Sequence, residues 1–84
     1  MTWRLLFAKE FARQFRKLDS PVRKRIQAAV DEIVRDPSGG KPLTGLLSGR
    51  WSWRVGDYRI LYKIHHDQLI ILVLTVGHRR EVYR

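Results

Sequence analysis

Hydrophobic and polar positions change period along this chain, and each change marks the border of an element. Thr2 to Phe7 is a short apolar segment carrying Trp3, Leu5, Leu6 and Phe7, which predicts a first strand. Phe11, Phe15 and Leu18 then recur at i, i+4 and i+7 with Arg13, Arg16 and Lys17 between them, the stripe of an amphipathic helix. Ser20-Pro21 restarts the chain. Serine is a good N-cap and proline is tolerated at the first helical position, so a second helix is expected from there, presenting Val22, Ile26, Ala29, Val30 and Ile33 to the core. Asp36-Pro37 stops it. The two helices, joined at Asp19-Ser20, form a hairpin whose outer faces carry Lys9, Arg13, Lys17, Arg23, Lys24, Arg25 and Arg35.

From Pro37 to Gly49 the sequence PSGGKPLTGLLSG holds four glycines and two prolines in thirteen residues, which predicts a loop anchored by Leu43, Leu46 and Leu47. Loops of this length tend to be functional. After it the period becomes two. Trp51, Trp53 and Val55 alternate with Arg50, Ser52 and Arg54; Gly56-Asp57 makes a tight turn; Tyr58, Ile60, Tyr62 and Ile64 then alternate with Arg59, Leu61 and Lys63. This is a β-hairpin. A turn over His65 to Asp67 leads into the stretch from Gln68 to Gly77, apolar on both faces and therefore expected as the central strand. The elements add up to an α+β fold in the order β-α-α-β-β-β, a helical hairpin packed on a small, mainly antiparallel twisted sheet. Residues 1–84 are expected to form one domain.

Charge narrows the choice of partner. Seventeen Lys and Arg against eight Asp and Glu leave a net charge of +9, which suits a polyanionic partner: nucleic acid, an anionic membrane surface or an acidic protein. The absence of cysteine excludes a disulfide framework, a thiol nucleophile and a cysteine zinc site, and is compatible with a cytoplasmic protein. MTWRLLFAKEF has no basic region ahead of its apolar stretch and does not read as a signal peptide. The longest uncharged apolar run, Leu69 to Val76, is far short of the roughly 20 residues a membrane span needs, so no membrane partner is expected. His65, His66 and Asp67 make only a weak ligand set on a turn, so no metal is expected. Gly39-Gly40 lacks the spacing of a phosphate loop, and no cofactor is expected either.

With Gly56 and Asp57 as the loop residues, counting places Val55 opposite Tyr58, Arg54 opposite Arg59, Trp53 opposite Ile60, Trp51 opposite Tyr62 and Arg50 opposite Lys63. One face is then aromatic and β-branched, fit for a core; the other stacks Arg50, Arg54, Arg59 and Lys63. Like charges directly opposed destabilise a sheet. A phosphate site explains the stack better than its ordinary alternative, long side chains splayed into water. After the last strand, His78, Arg79 and Tyr83 supply a titratable group, a fixed cation and a phenol within six residues. RNA cut by its own 2′-OH needs a base for that hydroxyl, positive charge for the phosphorane and an acid for the departing 5′-oxygen, and these residue types fit. The plainer alternative makes His78 a surface residue and Tyr83 the closure of the core edge.

These residues carry a resemblance. FARQFRKLDSPVRKRI, GKPLTGLLSGRWSWRVGDYRILYKI and the ending LTVGHRREVYR, covering essentially the whole chain, resemble the RelE/ParE toxin superfamily and within it the RelE-like branch, whose fold is like that of microbial RNases. The sharpest matches are RVGDYRILY, from Arg54 to Tyr62, and VGHRREVY, from Val76 to Tyr83. The resemblance implies a type II toxin, an endoribonuclease or mRNA interferase that cleaves mRNA in the ribosomal A site. Its implied partners are the ribosome with its rRNA, the mRNA and a cognate acidic antitoxin, and operator DNA is reached only through the antitoxin complex. It also implies that Arg59 contacts the scissile phosphate, that Arg79 is a second catalytic cation and that Tyr83 orients a codon base; a histidine near this end serves related branches, which makes His78 a candidate acid or base. Arg50, Ser52, Arg54, Lys63 and Arg80 would line the RNA path. Where well-known members carry two lysines on the second strand, this chain has Arg50 and Ser52. Arginine is a poor proton acceptor and serine cannot replace a lysine base, which leaves room for low activity. The other readings are a ParE-like gyrase inhibitor and a non-catalytic binding protein on the same scaffold. Several RelE-like toxins continue into a C-terminal helix over the site; this sequence stops at Arg84, which implies a more open site.

Overall fold

The computed structural model describes residues 2–78. Five strands form one sheet in the order β1-β5-β4-β3-β2, with β1 (Arg4–Phe7) parallel to β5 (Ile70–His78) and every other neighbour antiparallel. Helices α1 (Lys9–Arg16) and α2 (Ser20–Arg35) follow β1. Phe11, Ile26, Ala29, Val30 and Ile33 of the helices meet Ile60, Tyr62, Ile71, Val73 and Val76 of the sheet in a single buried cluster. Ile26 and Ile33 are fully buried, each worth about 1.5–3 kcal/mol. Trp51, Trp53, Tyr58, Phe15, Leu18 and Val22 pack at its margin, as the two periodicities anticipated.

Four details depart from the sequence expectation. Asp19, not Ser20, is the N-cap of α2: it is extended and its carbonyl accepts the Arg23 N–H at 2.9 Å. Ser20 is already helical, and Pro21 sits in the first turn, where no N–H is needed. The segment 37–49 is not wholly irregular. It contains 3₁₀ turns at Pro37–Gly39 and Gly45–Leu47 and a two-residue strand, β2 (Lys41–Pro42), that pairs with β3 (Trp51–Val55). β5 starts at Ile70, after a turn in which Leu69 takes a φ of 55°, and runs on to His78. Finally β4 (Tyr58–His65), not β5, holds the middle of the sheet, because β2 adds a strand on the far side; β5 is interior, between β1 and β4.

A bulge explains why β5 looked apolar on both faces. Opposite Leu61 stands Thr75 and opposite Tyr62 stands Val73, so Leu74 is an extra residue. The insertion turns Val76 to the same face as Ile71 and Val73, which strict alternation would forbid, and all three reach the core. Beyond the short β1, the Val76 N–H is received by the Gln14 Oε1 of α1 at 2.8 Å.

Candidate functional site

The face of the hairpin turned away from the helices is built by the register. Arg54 pairs with Arg59 and Val55 with Tyr58 around Gly56-Asp57, where Gly56 has the left-handed φ of 59° that this turn demands. Tyr58 and Ile60 face the core, so Arg59 between them faces the other way, together with Ser52, Arg54, Leu61 and Lys63. This face is less solvated than alternation alone suggests. Ser52 and Leu61 are buried, Arg59 and Lys63 half-buried, and Arg54 exposed with its Nε donating to the Gly56 carbonyl at 3.4 Å. Gly77 stands opposite Arg59, so no β-carbon from β5 crowds the guanidinium.

Among the described residues, Arg59 Nη1 and Thr75 Oγ1 on β5 are shut off from water and have no hydrogen-bond partner. A buried unpaired donor costs about 1–3 kcal/mol, more when charged.

The structure does not bring every candidate together. The β3–β4 ladder starts at Trp51–Tyr62, so Arg50 does not pair with Lys63 as expected. Its N–H donates to the Leu47 carbonyl at 3.1 Å and its carbonyl accepts the Leu43 N–H at 2.9 Å; loop contacts replace the ladder there. Lys63 pairs instead with Leu72 of β5. His78 lies on the helix side. It stands opposite Tyr58, meets that ring edge-to-face at 6.0 Å, and shares a groove of about 290 Å³ with Gln14, Lys17, Leu18 and Val76. Arg59 and His78 therefore occupy opposite faces of the sheet. Arg79, Arg80 and Tyr83 lie outside the described residues.

One residue missed in the sequence enters this face. Lys41 pairs with Ser52 and lines, with Gly39, Gly40, Ser52, Trp53 and Arg54, a groove of about 440 Å³. A basic residue beside Pro42 was the available signal: proline holds its predecessor extended and belongs at a sheet edge. The loop is pinned from beneath by Tyr62, whose hydroxyl donates to the Pro37 carbonyl at 2.6 Å. Burial pushes that hydroxyl up to about 12, opposed by a backbone hydrogen bond from Gly40 and reinforced by the Asp36 charge.

A five-stranded sheet with a basic outer face, packed on a helical hairpin, is a fold with known relatives. Residues 2–83 match the family described as "ParE toxin of type II toxin-antitoxin system, parDE". The toxin RelG of Mycobacterium tuberculosis is 38% identical over 60 residues, covering 70% of this chain and 69% of its own. The toxin YoeB of Streptomyces coelicolor is 46% identical over 59 residues, covering 64% and 70%. The toxin–antitoxin complex RelBE2 of M. tuberculosis superposes with a TM-score of 0.85 at 30% identity, covering 96% of this chain and 95% of that one. The chain belongs to the RelE/ParE superfamily of type II toxins.

Proposed function

We propose that this toxin is a ribosome-dependent endoribonuclease that cuts mRNA in the A site and so arrests translation, and that a cognate acidic antitoxin neutralises it. The observation that carries the reading is Arg59, set opposite Arg54 with its Nη1 withdrawn from water and unpartnered among the described residues. In the reaction the 2′-oxygen attacks the adjacent phosphorus as the P–O5′ bond breaks, leaving a cyclic phosphate and a 5′-hydroxyl; the 2′ proton passes to water and water protonates the 5′-oxygen. Arg59 neutralises the phosphorane, and Arg54 and Lys63 hold neighbouring phosphates. Arg50 and Arg80 extend the cationic path, Arg79 adds a second catalytic cation and Tyr83 supplies the base platform, roles that rest on the resemblance. With serine at position 52 and His78 on the far face, the rate rests on orientation and charge, and turnover is slow. Two features support the antitoxin: the +9 charge, and the similarity to a toxin held in an antitoxin complex.

Primer extension on a message in a programmed ribosome with an empty A site, beside the same message free in solution, tests the reading. Cuts confined to the ribosome-bound A-site codon support it; cuts in neither sample sink it. The family description names ParE, which favours a second reading as a DNA gyrase inhibitor. Inhibition of supercoiling by a chain that leaves the message intact would select it.

A further inference from the structure

Ser52 sits in the middle of the arginine face, buried and too short to reach a ligand there. β2 brings a longer, charged group to the same place. Cross-strand partners share a face with β-carbons about 5 Å apart, so Lys41, paired with Ser52, emerges beside Arg54 and on the side of the sheet that carries Arg59.

Its backbone is held on both sides. The Leu43 N–H extends the pairing to the Arg50 carbonyl at 2.9 Å, and Gly40 lies so close to β3 that a β-carbon there would stand 2.8 Å from the Ser52 carbonyl oxygen. Tyr62 fastens the start of the loop through Pro37. The side chain is exposed, and among the described residues no carboxylate lies within ion-pair distance of it. Asp36, at the Gly39 end of the groove, accepts the Ser38 hydroxyl at 3.3 Å. A cation on a rigid mount, without a counter-charge and over a groove already lined by an arginine, has the attributes of an anion contact.

We propose that Lys41 contacts the substrate: its ammonium, carried over Ser52 by β2, binds a phosphate of the RNA strand held by Arg54 and Arg59. This rests on the RNA-cleaving reading and adds one residue to that site. A lysine acts there as a compact point charge that follows the backbone, in contrast to the planar fork of Arg59.

The test compares the full chain with Lys41→Ala, Lys41→Arg and, on the outer face of α2, Lys24→Ala. Each is measured for A-site cleavage on programmed ribosomes and for binding of a short single-stranded RNA across a salt series. The expected result for Lys41→Ala is a salt slope smaller by about 0.7 and cleavage slowed about tenfold or more, at an unchanged thermal midpoint. Lys41→Arg should stay within about threefold of the parent rate, and Lys24→Ala should match the parent in both assays. The slope decides. If Lys41→Ala keeps the parent slope, Lys41 touches no phosphate and the proposal falls, whatever its rate. If the parent itself cuts no message, the endoribonuclease reading fails separately, and the slope on RNA still rules on Lys41.

Discussion

At Arg59 the proposed phosphate contact would be accompanied by a local cost in stability. Its unpaired Nη1 burdens the folded state, so Arg59→Met, which keeps the stem and removes the donor, should raise stability by about 1 kcal/mol while abolishing growth arrest. Urea denaturation and induction in cells measure the two effects; a variant that arrests growth would remove Arg59 from the mechanism. Arg59→Lys keeps the charge but loses the planar fork suited to two phosphate oxygens, and on the proposed function should retain only weak cleavage. Tyr62 is the residue-scale counterpart in the core. Its hydroxyl is raised from 10 to about 12, so the folded state holds a proton that the unfolded chain releases above pH 10. That contribution is full below pH 10 and is lost between pH 10 and about 12. Tyr62→Phe should lower stability by about 1–3 kcal/mol at neutral pH, by leaving the Pro37 carbonyl unpaired, and should flatten the alkaline fall in urea midpoint.

The shortest element has the largest effect on the site. β2 has only two residues, one of them proline, and stays paired because Gly40 slips beneath Tyr62 and against β3. Gly40→Ala places a methyl 2.8 Å from the Ser52 carbonyl oxygen, so β2 must lift. The expected loss is about 1–3 kcal/mol with weakened RNA binding, read by thermal melting and by the salt series. In the β3–β4 turn, Gly56→Ala forces a side chain into a φ of 59° under the Arg25 guanidinium and should cost about 1–2 kcal/mol. On β5 the bulge at Leu74 decides which positions reach the core, and it leaves Gly77 across from Arg59.

At the scale of the whole molecule, a charge of +9 exceeds what the described contacts neutralise internally. The Glu10–Arg13 pair on α1 is the ion pair among the described residues, and it is exposed. Binding to ribosome or RNA should therefore weaken steeply from low to physiological salt, with log affinity linear in log salt. A salt-independent interaction would point to a neutral protein target instead. The small core also leaves apolar surface uncovered: Leu6 and Phe7 on β1 are about half exposed, beside a groove of about 550 Å³ lined by Leu5, Phe11 and Phe15. No helix among the described residues is long and apolar enough to cross a membrane.

By itself the sequence determined the helical hairpin, the two-residue turn, the Arg54–Arg59 pairing and the identity of the core, because each follows from periodicity over neighbouring residues. Phe11, Ile26, Ile33, Ile60 and Tyr62 stood where a period of 3.6 or of two put them. Tertiary structure decided what local pattern does not carry. The place of Lys41 depends on its pairing with Ser52 and on the hold of Tyr62 on Pro37, 25 residues away along the chain, and a Gly-Pro segment carries no periodicity to announce it. The separation of His78 from Arg59 depends on the facing of two strands, whereas the sequence offered both as parts of one site. The bulge at Leu74 is likewise invisible along the chain, because an extra apolar residue in an apolar strand alters no pattern until the partner strand counts it.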